Sequence, residues 1–151
     1  MAWVATQAIL FALILFLPLE SQFAMPAELR LATQILSAIG FIILFRAVYD
    51  LRRSLAVSPV PNKDGQLQTS GIYGWIRHPM YLSVWLILGG GILRSGSYPK
   101  LVLFAVLVVF FIFKVMYEED LLKKKYPGYK EYIKRVGAFI PSLRQLPKGY
   151  E

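Results

Sequence analysis

No cysteine occurs anywhere in the 151 residues. Disulfides, zinc–thiolate sites and thiol nucleophiles are therefore excluded for this chain. Histidine occurs once, as His78, and acidic residues number 9 against 17 basic ones. Charge of either sign is scarce, at 17% of residues, where soluble domains carry about 25%. In its place stands apolar surface, 56% of the chain, with a mean hydropathy of +0.51. A soluble fold this small cannot hide so much apolar area, and a disordered chain has the opposite composition. The remaining solvent is lipid.

Four runs carry the apolar residues. Trp3 to Leu19, Leu31 to Phe45, Pro79 to Leu93 and Leu101 to Phe113 contain no charged residue. Each is shorter than the roughly 20 residues that span a bilayer core. Flanking Arg46, Lys100 and Lys114 extend them if their stems lie in the apolar layer and their charges snorkel out of it. Tyr49, Tyr98 and Tyr117 stand where interfacial aromatics belong. The expected architecture is one all-α polytopic membrane domain over residues 1–151. Its transmembrane helices lie at about 3–19, 29–49, 79–95 and 99–117, with a cytoplasmic loop at 54–77 and a cytoplasmic tail at 118–151. A signal peptide fits the first run poorly, because no basic residue precedes it and it exceeds the usual apolar length.

The basic residues are distributed unevenly. Fourteen lie at Arg46 to Arg77 or from Lys114 onward, against three on the other side, Arg30, Arg94 and Lys100. The positive-inside rule places the 46–77 region and the tail in the cytoplasm, and four spans bring the N-terminus there too. The net charge of +8 thus becomes a collar facing anionic lipid. A nucleic-acid partner is not expected, since no basic–aromatic RNA-binding signature appears.

Two parts lie outside the apolar runs. Residues 54–77 carry Pro59, Pro61, Asn62, Asp64, Gly65, Gly71 and Gly74, which is loop chemistry. The tail is broken by Pro127-Gly128, after which Tyr129, Tyr132, Ile133 and Val136 recur with helical spacing. That helix is amphipathic, able to lie on the membrane or fold back over the helix ends. Gly89-Gly90-Gly91 in the third run reads as close helix packing.

Chemistry concentrates in two clusters. One is Thr69 to Tyr81, which holds Arg77, His78 and Pro79. The other is Glu118-Glu119-Asp120 at the end of the fourth run. The topology puts both on one side, so they can meet. Acids at a membrane face must be hydrated or paired, and Arg77, His78 and Lys123 to Lys125 are the available partners. Ordinary explanations exist as well: an anchor with proline in the first helical turn, and surface ion pairs one turn apart.

The stretch Leu67-Gln-Thr-Ser-Gly-Ile-Tyr-Gly-Trp-Ile-Arg-His-Pro-Met-Tyr-Leu82, followed by a membrane hairpin, Glu118-Glu119, Tyr129-Lys-Glu-Tyr132 and Phe139-Ile-Pro141, resembles the isoprenylcysteine carboxyl methyltransferase family. The related phospholipid N-methyltransferases share the scheme. The resemblance covers roughly residues 57–143. It implies an integral membrane enzyme that uses S-adenosylmethionine, held at the cytoplasmic ends of the last two membrane helices and under the C-terminal helices. Carried over, Leu67, Gln68 and Tyr73 line the cofactor. His78, Pro79, Met80 and Tyr81 form its main contact, and Glu118 binds it from the fourth run. Lys114 stands where relatives often place an arginine facing the substrate, Ile72 where many have proline, and Ser83 where glycine is common.

The demands of the reaction agree with these residue types. Methyl transfer from a sulfonium is an in-line displacement helped chiefly by proximity and orientation. Glu118 suits an ammonium group, and His78 suits a carboxylate. A carboxylate acceptor needs a steering cation, Lys114 or Arg77. An amine acceptor must lose a proton, which Glu119 or His78 could take. The catalytic candidates are therefore Lys114, Arg77 and Glu119, no metal is expected, and the acceptor is a lipophilic molecule carrying a carboxylate or an amine. Two other readings stand beside this one: a sterol- or enone-type reductase using NADPH, and a non-catalytic membrane protein with a lipid-binding basic tail.

Overall fold

The computed structural model describes residues 2–16, 18, 22–52 and 67–141. Five α-helices form: α1 (Ala2–Phe16), α2 (Ala27–Leu51), α3 (Pro79–Ser95), α4 (Tyr98–Lys125) and α5 (Tyr129–Arg135), with a 3-10 turn at Gly71–Gly74 before α3. Among the described residues the only extended pairings are two isolated bridges, Gln22 with Ser97 and Ile76 with Gly137. The loop residues Pro59, Pro61, Asn62, Lys63, Asp64 and Gly65 lie outside the described residues, as do Arg53, Arg144 and Lys148.

Helix limits follow local chemistry. Pro79 opens α3 and Pro99 lies in the first turn of α4, where a missing N–H costs nothing. Gly96 ends α3 in the left-handed region at φ 66°, and its N–H bonds back to Ile92 O and Leu93 O. The Ser97 hydroxyl then caps α4 by accepting from Lys100 N–H. The two helices form a tight hairpin, and Phe23 N–H donates to Gly96 O at its turn.

α2 packs along α3 through small residues. A Cβ on Gly40 would lie 2.9 Å from Ser83 O and Ile87 N, and one on Gly90 would collide with Ser37 and Thr33 O. Ser37 Oγ also donates to Ile87 O at 3.2 Å. Such close approach is how helices gain contact where lipid removes the hydrophobic drive. Of the glycine triplet, Gly89 meets the Phe104 ring and Gly90 meets α2, but Gly91 faces open space. On the other side α1 packs on α4: Leu10 and Ile14 join Leu107, Phe111 and Ile92 in a buried cluster. Trp3 stacks on Tyr117 with ring centroids 5.6 Å apart.

The outer faces are apolar. Leu31, Ile35, Ile39, Ile42 and Phe45 on α2, and Val102, Val106, Val109, Phe113 and Met116 on α4, are all exposed. Only 17% of the apolar window of α2 and 22% of that of α4 is buried. A core helix of a soluble protein would be mostly buried, so these faces suit lipid. Tyr49, Tyr98 and Tyr117 are exposed near helix ends, as interfacial aromatics are.

Two helices, α2 and α4, are long and apolar enough to cross a membrane; α1, at 15 residues, and α3, at 17, are shorter. The expected first span of 3–19 is cut at Phe16, and Pro18 already lies outside the helix. The expected boundary between the fourth helix and the tail at residue 118 is not a break. α4 runs unbroken through the acids to Lys125, because nothing before Pro127-Gly128 interrupts helical spacing. Its 28 residues rise ~42 Å, beyond the ~30 Å of a hydrocarbon core. The start of α1, the end of α2, the start of α3 and the end of α4 gather at one end. There Trp3 meets Tyr117, Asp50 meets Ile72, and Tyr81 meets Glu118.

Candidate functional site

The gathered end is closed by a clasp. Residues 76–78 run beside 137–138: Arg77 N–H donates to Gly137 O at 2.9 Å and His78 N–H to Ala138 O at 3.0 Å. Thus the tail is stitched to the chain just before α3. The motif Phe139-Ile-Pro141 sits over the site, with the Phe139 ring 4.4 Å from Trp85 and 6.0 Å from His78, centroid to centroid. α5 is folded back rather than free on a membrane surface. Tyr129, Tyr132 and Val136 are buried against Leu67, Leu122, Tyr126 and Ile133, the face that the helical spacing marks as apolar.

Directional bonds fix the clasp. Arg77 reaches Glu119 Oε1 through Nε at 3.0 Å and Nη2 at 2.8 Å, while Nη1 donates to Ile133 O and Val136 O, carbonyls at the end of α5. One guanidinium thereby ties α3, α4 and α5 together with its planar fork. His78 Nε2 donates to the same Glu119 Oε1 at 3.0 Å; a carboxylate only accepts, so the ring proton sits on Nε2. Tyr132 donates its hydroxyl to Tyr73 O at 2.5 Å. Burial pushes the Tyr73, Tyr129 and Tyr132 phenols above their ordinary range, so they stay neutral.

The 3-10 turn is held from below. Asp50 at the end of α2 accepts from Ile72 N–H at 2.8 Å and from Arg46 Nε at 3.0 Å. Gly71 sits at φ 62°, and a Cβ there would strike the Asp50 carboxylate, so only glycine fits. Gln68 donates to Ser70 O and Oγ, and Leu67 packs on the α5 cluster.

Glu118 and Glu119 part company. Glu119 serves the clasp, whereas Glu118 faces inward and accepts from the Tyr81 hydroxyl at 2.5 Å. Of the surface pairs expected for the three acids, Asp120 makes one with Lys123, while both glutamates reach back to residues at the start of α3. One turn earlier, Lys114 also departs from expectation. It does not snorkel outward but is buried at 5% exposure, with Nζ donating to Gln7 Oε1 at 2.6 Å and standing 5.3 Å from the Tyr81 ring centroid. α4 turns this position inward, against α1 and the aromatic rings, where the ammonium finds an amide instead of water. Pro79 and Ser83 are fully buried in the α3 packing, with Ser83 Oγ donating to Met80 O.

Of the residues singled out from sequence, Arg77, His78, Tyr81, Lys114, Glu118 and Glu119 converge on one cluster. Leu67 and Tyr73 border it through α5, and Met80 is half-buried in the first turn of α3. Sequence reading passed over three contributors. Gln7 was the amide inside an otherwise apolar run, a signal in itself. Asp50 was an acid at a helix end. Trp85 lies one turn after Tyr81, and its buried Nε1–H has no partner among the described residues, although buried donors are normally paired.

Comparison with known proteins agrees with this geometry. The phospholipid methyltransferase family model matches residues 29–128. The chain is 32% identical over 116 residues to the protein-S-isoprenylcysteine O-methyltransferase of Schizosaccharomyces pombe, covering 71% of this chain and 49% of that protein. It is 28% identical over 114 residues to the methanethiol S-methyltransferase of Pseudomonas deceptionensis, covering 71% and 41%. It is also 33% identical over 82 residues to the cobalt-zinc-cadmium resistance protein CzcN of Cupriavidus metallidurans, covering 54% and 38%. The chain spans about half the length of these relatives or less. The family match takes in well over half of the chain, including every residue from Arg77 to Glu119, and the chain belongs to the phospholipid methyltransferase family.

Proposed function

We infer that this chain is a membrane methyltransferase that moves a methyl group from S-adenosylmethionine to a lipophilic acceptor. The observation that carries the reading is the inward-facing Tyr81–Glu118 hydrogen bond beneath the Phe139 clasp, in a member of this family. The residues present suit such a donor. Glu118 offers a carboxylate to an ammonium group. The Tyr81, Trp85, Phe139 and His78 rings supply faces for a cation or a flat base. Trp85 Nε1–H lacks a partner among the described residues and offers a bond to an acceptor atom.

When bound, S-adenosylmethionine supplies an electrophilic methyl carbon. Held by Glu118 and the surrounding rings, it would give that methyl to a lone pair of the acceptor, the carbon–sulfur electron pair staying with sulfur. The protein's contribution is orientation and dryness. Glu118 and Tyr81 anchor; Leu67, Gln68, Tyr73, Pro79 and Met80 line; Phe139 excludes water. Arg77 and Glu119 act as positioning residues, since their polar atoms engage each other and α5. His78 Nε2 is held by Glu119, a pair that can take a proton from an amine acceptor. A carboxylate acceptor brings none to remove.

The membrane arrangement belongs to the same reading. α1 to α4 each cross, the shorter α1 and α3 in a locally thinned bilayer. Four crossings place both termini with the basic collar on the cytoplasmic side. The acceptor's apolar part enters from the bilayer. A cleft lined by Phe11, Leu15, Val84, Ile87 and Leu88 opens between α1 and α3 and suits an isoprenoid or acyl chain.

The test is binding of S-adenosylhomocysteine to the purified protein, followed by transfer of labelled methyl to total membrane lipid and to a prenylcysteine analogue. Binding is expected, with label in at least one acceptor. Thermal stabilisation by NADPH, with none by S-adenosylhomocysteine, would overturn the reading.

A further inference from the structure

Lys114 is the buried cation of the site, and it makes no ion pair among the described residues. Glu118 acts on it electrostatically without touching it, and a buried cation also needs its remaining donors compensated. One of its three N–H donors goes to Gln7 Oε1 at 2.6 Å, and the Tyr81 and Phe111 ring centroids lie 5.3 and 6.0 Å from Nζ. Glu118 lies one helical turn away, but its Oε1 is engaged by the Tyr81 hydroxyl. The Tyr81 side chain therefore meets a carboxylate with its hydroxyl and a cation with its ring face. Gln7 is neutral, so it orients the ammonium without cancelling its charge. It comes from α1, outside the family-matched residues 29–128.

We propose that Gln7 is a specificity-determining positioning residue, holding Lys114 so that the acceptor side of the site takes an anionic group, a carboxylate or a thiolate, in preference to an amine. The proposal rests on the methyltransferase reading and names the acceptor chemistry within it. The two charged positions then sort the reactants: a cationic ammonium goes to Glu118, and an anionic acceptor goes to Lys114. An anionic acceptor attacks without losing a proton, so its lone pair forms the bond to carbon and no base is required. A thiol becomes such an acceptor once it has released its proton to bulk water before entering the site, a loss that a neighbouring cation favours. An amine that arrives as ammonium is repelled by Lys114.

Three probes with the same twelve-carbon chain test this: S-dodecyl-N-acetylcysteine, dodecanethiol and N-methyldodecylamine. Binding to the full chain in detergent is followed by tryptophan fluorescence, with and without S-adenosylhomocysteine. Wild type is expected to hold the carboxylate, the thiol or both at least about tenfold tighter than the amine. Gln7→Glu places a carboxylate on Lys114 and is expected to erase that preference while leaving S-adenosylhomocysteine binding intact. Gln7→Met, similar in shape but without an acceptor oxygen, is expected to weaken anion binding severalfold and leave amine binding unchanged. Lys114→Arg is expected to keep the preference and Lys114→Gln to lose it. An amine preference in wild type, no binding of any probe, or equal shifts for all three probes in Gln7→Glu would overturn the proposal, while S-adenosylhomocysteine binding leaves the methyltransferase reading standing. Failure of wild type to bind S-adenosylhomocysteine overturns that reading instead.

Discussion

Between α2 and α3, Gly40 and Gly90 let two backbones touch, and Ser37 Oγ donates across to Ile87 O. At the gathered end of the same helices, Arg77 alone binds one carboxylate and two carbonyls, and Tyr132 bonds across 59 residues of sequence to Tyr73. The first region is held by many weak, non-directional contacts. The second is held by a few directional ones, each costly to leave half-made. The bundle should therefore tolerate conservative apolar exchange, whereas the clasp should fail at single atoms.

The largest effect should come from Arg77→Ala. It leaves Glu119 with His78 as its remaining partner and strands the Ile133 and Val136 carbonyls, and breaking a buried ion pair costs about 3–5 kcal/mol. Limited proteolysis should then cut within residues 126–141 while helix content from α1 to α4 persists by far-ultraviolet circular dichroism. Loss of the whole fold would show that the two regions are not separable.

Next comes Glu118→Gln. Loss of one charge-assisted bond, about 1.5–3 kcal/mol, predicts a roughly 10- to 100-fold weaker grip on S-adenosylhomocysteine by calorimetry. Membrane insertion should be unchanged. His78→Ala should weaken the same binding less, since His78 acts through Glu119.

Alkaline pH should separate the regions without mutation. The Tyr73, Tyr129 and Tyr132 phenols have raised pKa values in the folded protein because they are buried. Their contribution is complete below the unfolded phenol pKa of about 10 and declines as pH rises from there toward the folded values. Phenolate absorbance should appear as the clasp opens above about pH 10, before far-ultraviolet dichroism changes. Coincident transitions would tie the clasp to the bundle.

The smallest effects belong to Tyr132→Phe and Ile42→Leu. Tyr132→Phe removes one hydrogen bond, worth about 1 kcal/mol, and should lower the midpoint of clasp opening. On the lipid face, Ile42→Leu should leave thermal stability unchanged within measurement, because Ile42 is exposed there.

Much of the bundle was legible in the sequence because lipid-facing helices advertise themselves by composition and length. The third helix was read at its observed limits, Pro79–Ser95, since proline starts it and glycine stops it. The fourth was read as a membrane span to residue 117 followed by a helical tail up to Pro127-Gly128, and the structure joins the two into one helix ending at Lys125. In the site, the convergence of Arg77 and His78 with the glutamates was anticipated. Sequence reading already separated Glu118, as a cofactor contact, from Glu119, as a proton acceptor, but the engagement of Glu119 in the clasp was not foreseen. Neighbouring residues on a helix point about 100° apart, and the sequence does not say which direction is inward. Lys114 carried two readings, a snorkelling cation at a helix end and a cation facing the substrate, and only the placement of α1 turns it to Gln7.

Composition and periodicity by themselves determined that the chain is helical and suited to lipid, since burial in lipid depends on how much apolar surface there is and on its spacing along each helix. Ordered motifs pointed to the family. Tertiary structure decided which acid faces the site, which cation stays buried, and that residues 137–139 close over residues 76–78. Those outcomes depend on distances between atoms far apart in the chain, and an ion pair or hydrogen bond exists only when such distances close to about 3 Å.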